Sequence, residues 1–171
     1  FVVRNSNVSH NLAYRGGVFS KNGDSDIKFE LVDSLVSANV AVYNGGVANV
    51  FSAPGSMTFK RSTIIGNKAS VGGVVYAYDY SSGASGDVHI QSEDSLFEHN
   101  SAASSTYQDW DIHGGVHYLY GTGAKSYSSG DRFDNNSARD EGGVCYCQTY
   151  ASLNVSGSTF RANSAESGGV L

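Results

Sequence analysis

The stretch Phe133-Asp134-Asn135-Asn136-Ser137-Ala138-Arg139-Asp140-Glu141-Gly142-Gly143-Val144 decides the fold, because the chain writes it six times. Its constant parts are a hydrophobic anchor, Asn three residues on, Ala two further, and Gly-Gly-Val after a gap. The earlier copies run through Val8, Asn11, Ala13 and Gly16-Gly17-Val18; Val36, Asn39, Ala41 and Gly45-Gly46-Val47; Ile64, Asn67, Ala69 and Gly72-Gly73-Val74; and Phe97, Asn100, Ala102 and Gly114-Gly115-Val116. The last runs through Phe160, Asn163, Ala165 and Gly168-Gly169-Val170. Successive ladder asparagines lie 28, 28, 33, 36 and 27 residues apart, so the period is 27–28 with extra residues entering twice. A fixed period of this size is the mark of a solenoid, whose units bury their apolar faces only against one another.

Ahead of most anchors the residues alternate as Phe1/Val3, Phe29/Leu31, Met57/Phe59, Val88/Ile90 and Leu153/Val155. Alternation of this kind predicts strand. The copy around Tyr127 is irregular, and no segment has the apolar period of a helix. The spacing predicts an all-β, single-stranded parallel β-helix of about six coils with three short strands each, a rod on the order of 25–30 Å long at one strand spacing per coil. Asn11, Asn39, Asn67, Asn100, Asn136 and Asn163 are expected to stack at a corner as an amide ladder. Ala fits where a larger side chain would crowd the turn, and Gly-Gly supplies backbone angles that other residues resist. These columns read as structure, with no catalytic duty.

Phe-x-x-Asn-x-Ala followed by Gly-Gly resembles the repeat of the chlamydial polymorphic outer-membrane proteins, most closely at Phe97–Asn100–Ala102, Phe133–Asn136–Ala138 and Phe160–Asn163–Ala165. The chain departs in having Gly-Gly-Val where that repeat has Gly-Gly-Ala-Ile, and Val or Ile at three of the six Phe positions. The resemblance implies a right-handed β-helix exposed on a cell surface, extracellular, with adhesive or structural duties.

At 171 residues the chain is expected to be one β-helix segment, 1–171, cut from or stacked within a longer solenoid. A net charge of −5 and the lack of a basic stripe argue against nucleic acid and anionic membranes as partners. No apolar run is long enough to span a bilayer. Expected partners are other protein chains or further coils of the same protein, with cell-surface glycans or proteins as ligands. Three sequons, at Asn7, Asn135 and Asn154, place acceptor asparagines on outward positions, and none of the ladder asparagines lies in one.

Aligning the copies on Gly-Gly-Val brings His117 beside Cys145 and Leu119 beside Cys147. Two thiols and an imidazole lack a fourth zinc ligand, so the cysteines read as buried free thiols and neither a metal nor another cofactor is expected. The same alignment builds columns of Tyr76, Tyr118 and Tyr146 and of Phe51, Tyr78 and Tyr120. Their neighbours are mostly apolar, which points the tyrosines outward. Such a ladder serves either to stabilise the sheet or to contact a glycan or protein. Two insertions, near 79–87 and 103–112, break the period, and the second adds Trp110 to the candidate interaction face. Asp109, Asp111 and His113 are the only candidates for polysaccharide-cleaving chemistry, and no basic partner or repeated acid pair supports them, so no enzyme is expected. The sequence therefore reads as a stiff extracellular rod with an interaction face. A subunit of an extracellular filament is the alternative, and a polysaccharide lyase or hydrolase the distant one.

Overall fold

A computed structural model describes residues 1–23, 25–79, 87–103 and 112–171. The chain forms a parallel β-helix of six stacked coils. Every strand pairs in parallel with its counterparts one coil before and after. Four sheets run along the rod, so each of the first five coils has four short strands and not the three expected, while the sixth adds strands to the first two sheets. The extra strand arises because the Asn-x-Ala corner and the Gly-Gly corner bracket a short strand of their own, as in Val40–Asn44.

The first sheet contains Val2–Arg4, Ile27–Val32, Gly55–Lys60, Val88–Glu93, Ala124–Ser129 and Ser152–Ser156. The second carries the anchors, from Asn7–Ser9 through Leu35–Ser37, Thr63–Ile65, Leu96–Glu98 and Arg132–Asp134 to Thr159–Arg161. The third runs from Leu12–Arg15 to Ser137–Ala138, and the fourth from Phe19–Asn22 to Cys145–Gln148. The register matches like with like: Val36, Ile64, Phe97 and Phe133 are aligned, as are Ala69, Ala102 and Ala138.

Alternation along each strand sends one set of side chains into the lumen. Phe29, Leu31, Met57, Phe59, Val88 and Ile90 are all fully buried there, facing Val50, Ala77 and Leu119 of the fourth sheet. The anchors stack along the axis, with ring centroids of Phe97 and Phe133, and of Phe133 and Phe160, 4.9 Å apart and planes nearly parallel. Offset stacking of this kind adds to the gain from burial.

Corners are turned by single left-handed residues. The corner into the second sheet uses Asn5, Asp33, Arg61, Asp94, Gly130 and Gly157, and the corner into the third uses His10, Ala38, Gly66, His99, Asn135 and Ala162. The first glycine of each Gly-Gly pair turns the next corner, as with Gly72 at φ 64°. The second glycine is required by space. A Cβ on Gly73 would strike the carbonyl oxygen of Gly115 on the following coil. The pair therefore answers two separate demands, one conformational and one steric.

Candidate functional site

The asparagine ladder is continuous. Asn39 donates its backbone N–H and its Nδ2 to Oδ1 of Asn67, at 3.0 and 2.9 Å, and Asn67 does the same to Asn100 at 3.0 Å for both. Asn100 repeats this towards Asn136, and Asn136 towards Asn163. The remaining Nδ2 proton goes backwards to the previous coil's anchor: from Asn100 to the Ile64 carbonyl at 2.8 Å and from Asn136 to the Phe97 carbonyl at 2.9 Å. Each interior amide thus uses both donors and accepts twice. That is why Asn39, Asn67, Asn100 and Asn136 can be completely buried.

A second ladder accompanies it. The N–H of Ser6 donates to Oγ of Ser34, that of Ser34 to Ser62, and that of Ser62 to Ser95. Each is the residue two before a hydrophobic anchor. The signal was available in the sequence, since five of the six copies have Ser there. In the fifth copy the position is Asp131, whose carboxylate accepts the Ser95 N–H at 2.8 Å and the hydroxyls of Ser92 and Ser128. Burial pushes the Asp131 carboxyl above its ordinary range, and the two serine hydroxyls offset part of that. This explains the irregular fifth copy. Beside the buried Ala124, its lumen-facing residues are Ser126 and Ser128 because they answer polar groups inside the rod, with Ser126 Oγ 3.3 Å from Nδ1 of His117.

His117 lies in register with Cys145, and Leu119 with Cys147, as the alignment predicts. His117 is fully buried and its Nε2 has no hydrogen-bond partner among the described residues. Burial lowers its pKa to about 4, so the ring is neutral at physiological pH. Cys145 and Cys147 are free thiols with sulfurs 3.5 Å apart, the first buried and the second half-buried. The Cys145 thiol is held well above its ordinary range, first by the contact with Cys147 and then by burial. Among the described residues no three His, Cys, Asp or Glu side chains converge on a metal-sized space.

The tyrosines lie on the outer face of the fourth sheet and stack on one another. Tyr78 and Tyr120 have centroids 4.3 Å apart with planes 3° from parallel; Tyr76 and Tyr118 are 5.0 Å apart at 8°. Phe51 extends one column at 4.9 Å from Tyr78, and Tyr146 the other at 5.4 Å from Tyr118. The result is a raft whose interior ring faces are spent on neighbouring rings, with the Tyr118 hydroxyl donating to Oε1 of Gln148 at 3.4 Å. Val71 packs into its flank, and Tyr76 and Tyr118 are buried while Tyr78, Tyr120 and Tyr146 are half-buried. Burial raises the Tyr76 phenol far above its ordinary range. His113 stacks on Tyr146 at 4.3 Å, with Nδ1 3.8 Å from a Glu141 carboxylate oxygen. Trp110, Asp109 and Asp111 lie outside the described residues.

The three sequon asparagines, Asn7, Asn135 and Asn154, are all exposed. Asn135 occupies a left-handed corner (φ 54°), and Asn154 sits on the outer face of the first sheet beside Tyr127.

On that outer face a groove of about 700 Å³ runs over the third to sixth coils. Thr58, Gln91, Tyr127 and Asn154 form one wall of it, in strict register. Nothing in the repeat pattern pointed to this groove, because its lining is not periodic in residue type.

No curated protein and no solved structure matches the chain. Residues 132–148, which run from the Phe133 anchor through Gly142-Gly143-Val144 to the end of the following strand, match the family model of the Chlamydia polymorphic membrane protein repeat.

Proposed function

We propose that this chain is a structural and adhesive β-helix at a cell surface: a stiff rod that holds an aromatic interaction face towards a partner. The repeat match and the parallel β-helix together fit a surface β-helix protein. The observation that carries the adhesive reading is the tyrosine raft on the fourth sheet, in which rings on successive coils are held within a few degrees of parallel. A surface already ordered by stacking loses little side-chain entropy when a partner docks, and tyrosine edges and hydroxyls offer both apolar contact and hydrogen bonds. No catalytic step enters this reading.

The test is binding of the purified chain to whole cells, with the raft disrupted by the double substitution Tyr78→Ser and Tyr120→Ser. Unchanged circular dichroism with at least about tenfold weaker cell binding is the expected result. Binding that survives the double substitution would remove the raft from the mechanism. Regular fibres that lengthen with concentration under the electron microscope would replace adhesion with a filament role.

A further inference from the structure

The ladder amides and the groove amides are in opposite states. Each interior ladder asparagine has every donor and acceptor occupied inside the rod. On the outer face of the first sheet, the side-chain amides of Gln91 and Asn154 are exposed and make no hydrogen bond among the described residues. They stand one coil either side of Tyr127 in a single column. Tyr127 differs from the raft tyrosines in the same way. Its column neighbours are amides, its ring contact is a tilted one with His89 at 6.1 Å, and it is 40% exposed. One face of an aromatic ring is therefore bare here, flanked by planar amides.

We infer that the groove on the first sheet binds a linear, uncharged, hydroxyl-rich glycan laid along the rod axis, with one sugar ring against Tyr127 and its neighbours hydrogen-bonded to Gln91 and Asn154. The column Thr58, Gln91, Tyr127, Asn154 spans three inter-coil steps, roughly 14 Å at about 4.8 Å each, enough for about three sugar units. The opposite wall supplies the hydroxyls of Ser129 and Ser156 and the carboxylate of Glu93. Sugars suit this lining because their C–H faces pack on an aromatic ring while their hydroxyls both donate and accept, as amides and serines require. Glu93 in that wall is already paired with Lys60, and no cationic side chain is among the lining residues, so the groove offers no unpaired cation to a phosphorylated, sulfated or uronate polymer. The site is separate from the tyrosine raft, which lies on the fourth sheet and whose interior ring faces are occupied.

The experiment is calorimetric and NMR titration of the chain made in bacteria, which leaves Asn154 unmodified. Probes are short oligomers of β-linked glucose, xylose and N-acetylglucosamine, with a sulfated and a uronate oligomer as comparators. Saturable binding of a neutral oligomer is expected, with shifts at the Gln91, Tyr127 and Asn154 amides. Tyr127→Ala should weaken it about tenfold and Gln91→Ala several-fold, with Lys68→Ser on the third sheet leaving it unchanged. If Tyr127→Ala unfolds the chain, the shift map and Gln91→Ala carry the decision. No neutral binding at millimolar concentration, binding indifferent to both groove variants, or a preference for the charged comparators would each overturn the proposal.

Discussion

The second and third coils and the fourth and fifth coils enclose different interiors on the same backbone. In the former the lumen is hydrocarbon: Phe29, Leu31, Met57 and Phe59 from the first sheet meet Val50 and Ala77 from the fourth. In the latter Ser92, Ser126, Ser128 and His117 enter the corresponding positions, Asp131 takes the serine-ladder position beside them, and all make hydrogen bonds within the group except through Nε2 of His117. The outer frame does not change between them, since both ladders and the Gly-Gly column run through both halves without a break. The difference teaches that in this rod the corners specify the fold and the lumen only has to be filled. A polar filling is tolerated where most of its groups find partners and the one histidine stays neutral.

That comparison can be broken or sharpened by substitution. The largest effect is expected from Phe59→Ala in the apolar half, about 3–5 kcal/mol by urea unfolding, against less than about 1.5 for Ser126→Ala in the polar half. Equal costs would mean that the two interiors are not energetically distinct. Next comes the shared frame. Asn100→Leu removes the acceptor for the Asn67 N–H and Nδ2 and should cost about 3 kcal/mol, and Asn67→Leu should cost about as much despite its apolar surroundings. A silent Asn100→Leu would end the ladder argument.

The third test is acid. His117 has a folded-state pKa of about 4 against 6.5 unfolded, so the unfolded chain takes up the proton first. Stability contributed by the neutral ring is complete above about pH 6.5 and is lost as pH falls towards 4, up to about 3 kcal/mol. His117→Leu should flatten the stability profile across that window. Asp131 acts with the opposite sign. Its carboxyl is raised, so the charged form penalises the fold at neutral pH and the penalty is relieved as pH falls through the raised pKa. Asp131→Asn, the smallest effect expected, should stabilise slightly at pH 7 and make the acid-side loss steeper. A profile unmoved by either variant would show that the polar interior is not titrating.

The asparagine, alanine and glycine columns were legible because each places the same residue at the same step in every copy, so chemistry and period coincide. The serine ladder was equally periodic but lay outside the part of the repeat that the anchors framed, and Asp131 disguised it in one copy. The left-handed corners could not be read at all. Asn5, Asp33, Arg61, Asp94 and Gly130 share a conformation and no side-chain property, because the conformation is imposed by the hydrogen bonds on either side. The fourth strand was missed for a related reason: Lys68–Ala69 and Ser101–Ala102 are too short to show alternation. The tyrosine columns were legible from alignment, whereas their mutual stacking follows from ring geometry that spacing does not encode. The groove depends on which neighbours of Tyr127 are amides and not rings, a comparison available only once the coils are in register.

The direction of the hydrogen bonds sets how such a rod responds to pulling. The ladder and inter-strand bonds join one coil to the next and so point along the axis, in line with a load applied between the two ends of the rod. Tension would open them a coil at a time, as a zip, and not shear them together. Each coil released would add its own contour, about 95 Å for a 28-residue turn and about 120 Å for the 36-residue one. The two insertions would then be readable as the longest steps in a single-molecule extension trace, and the chain could absorb work in stages while the remaining coils stayed folded.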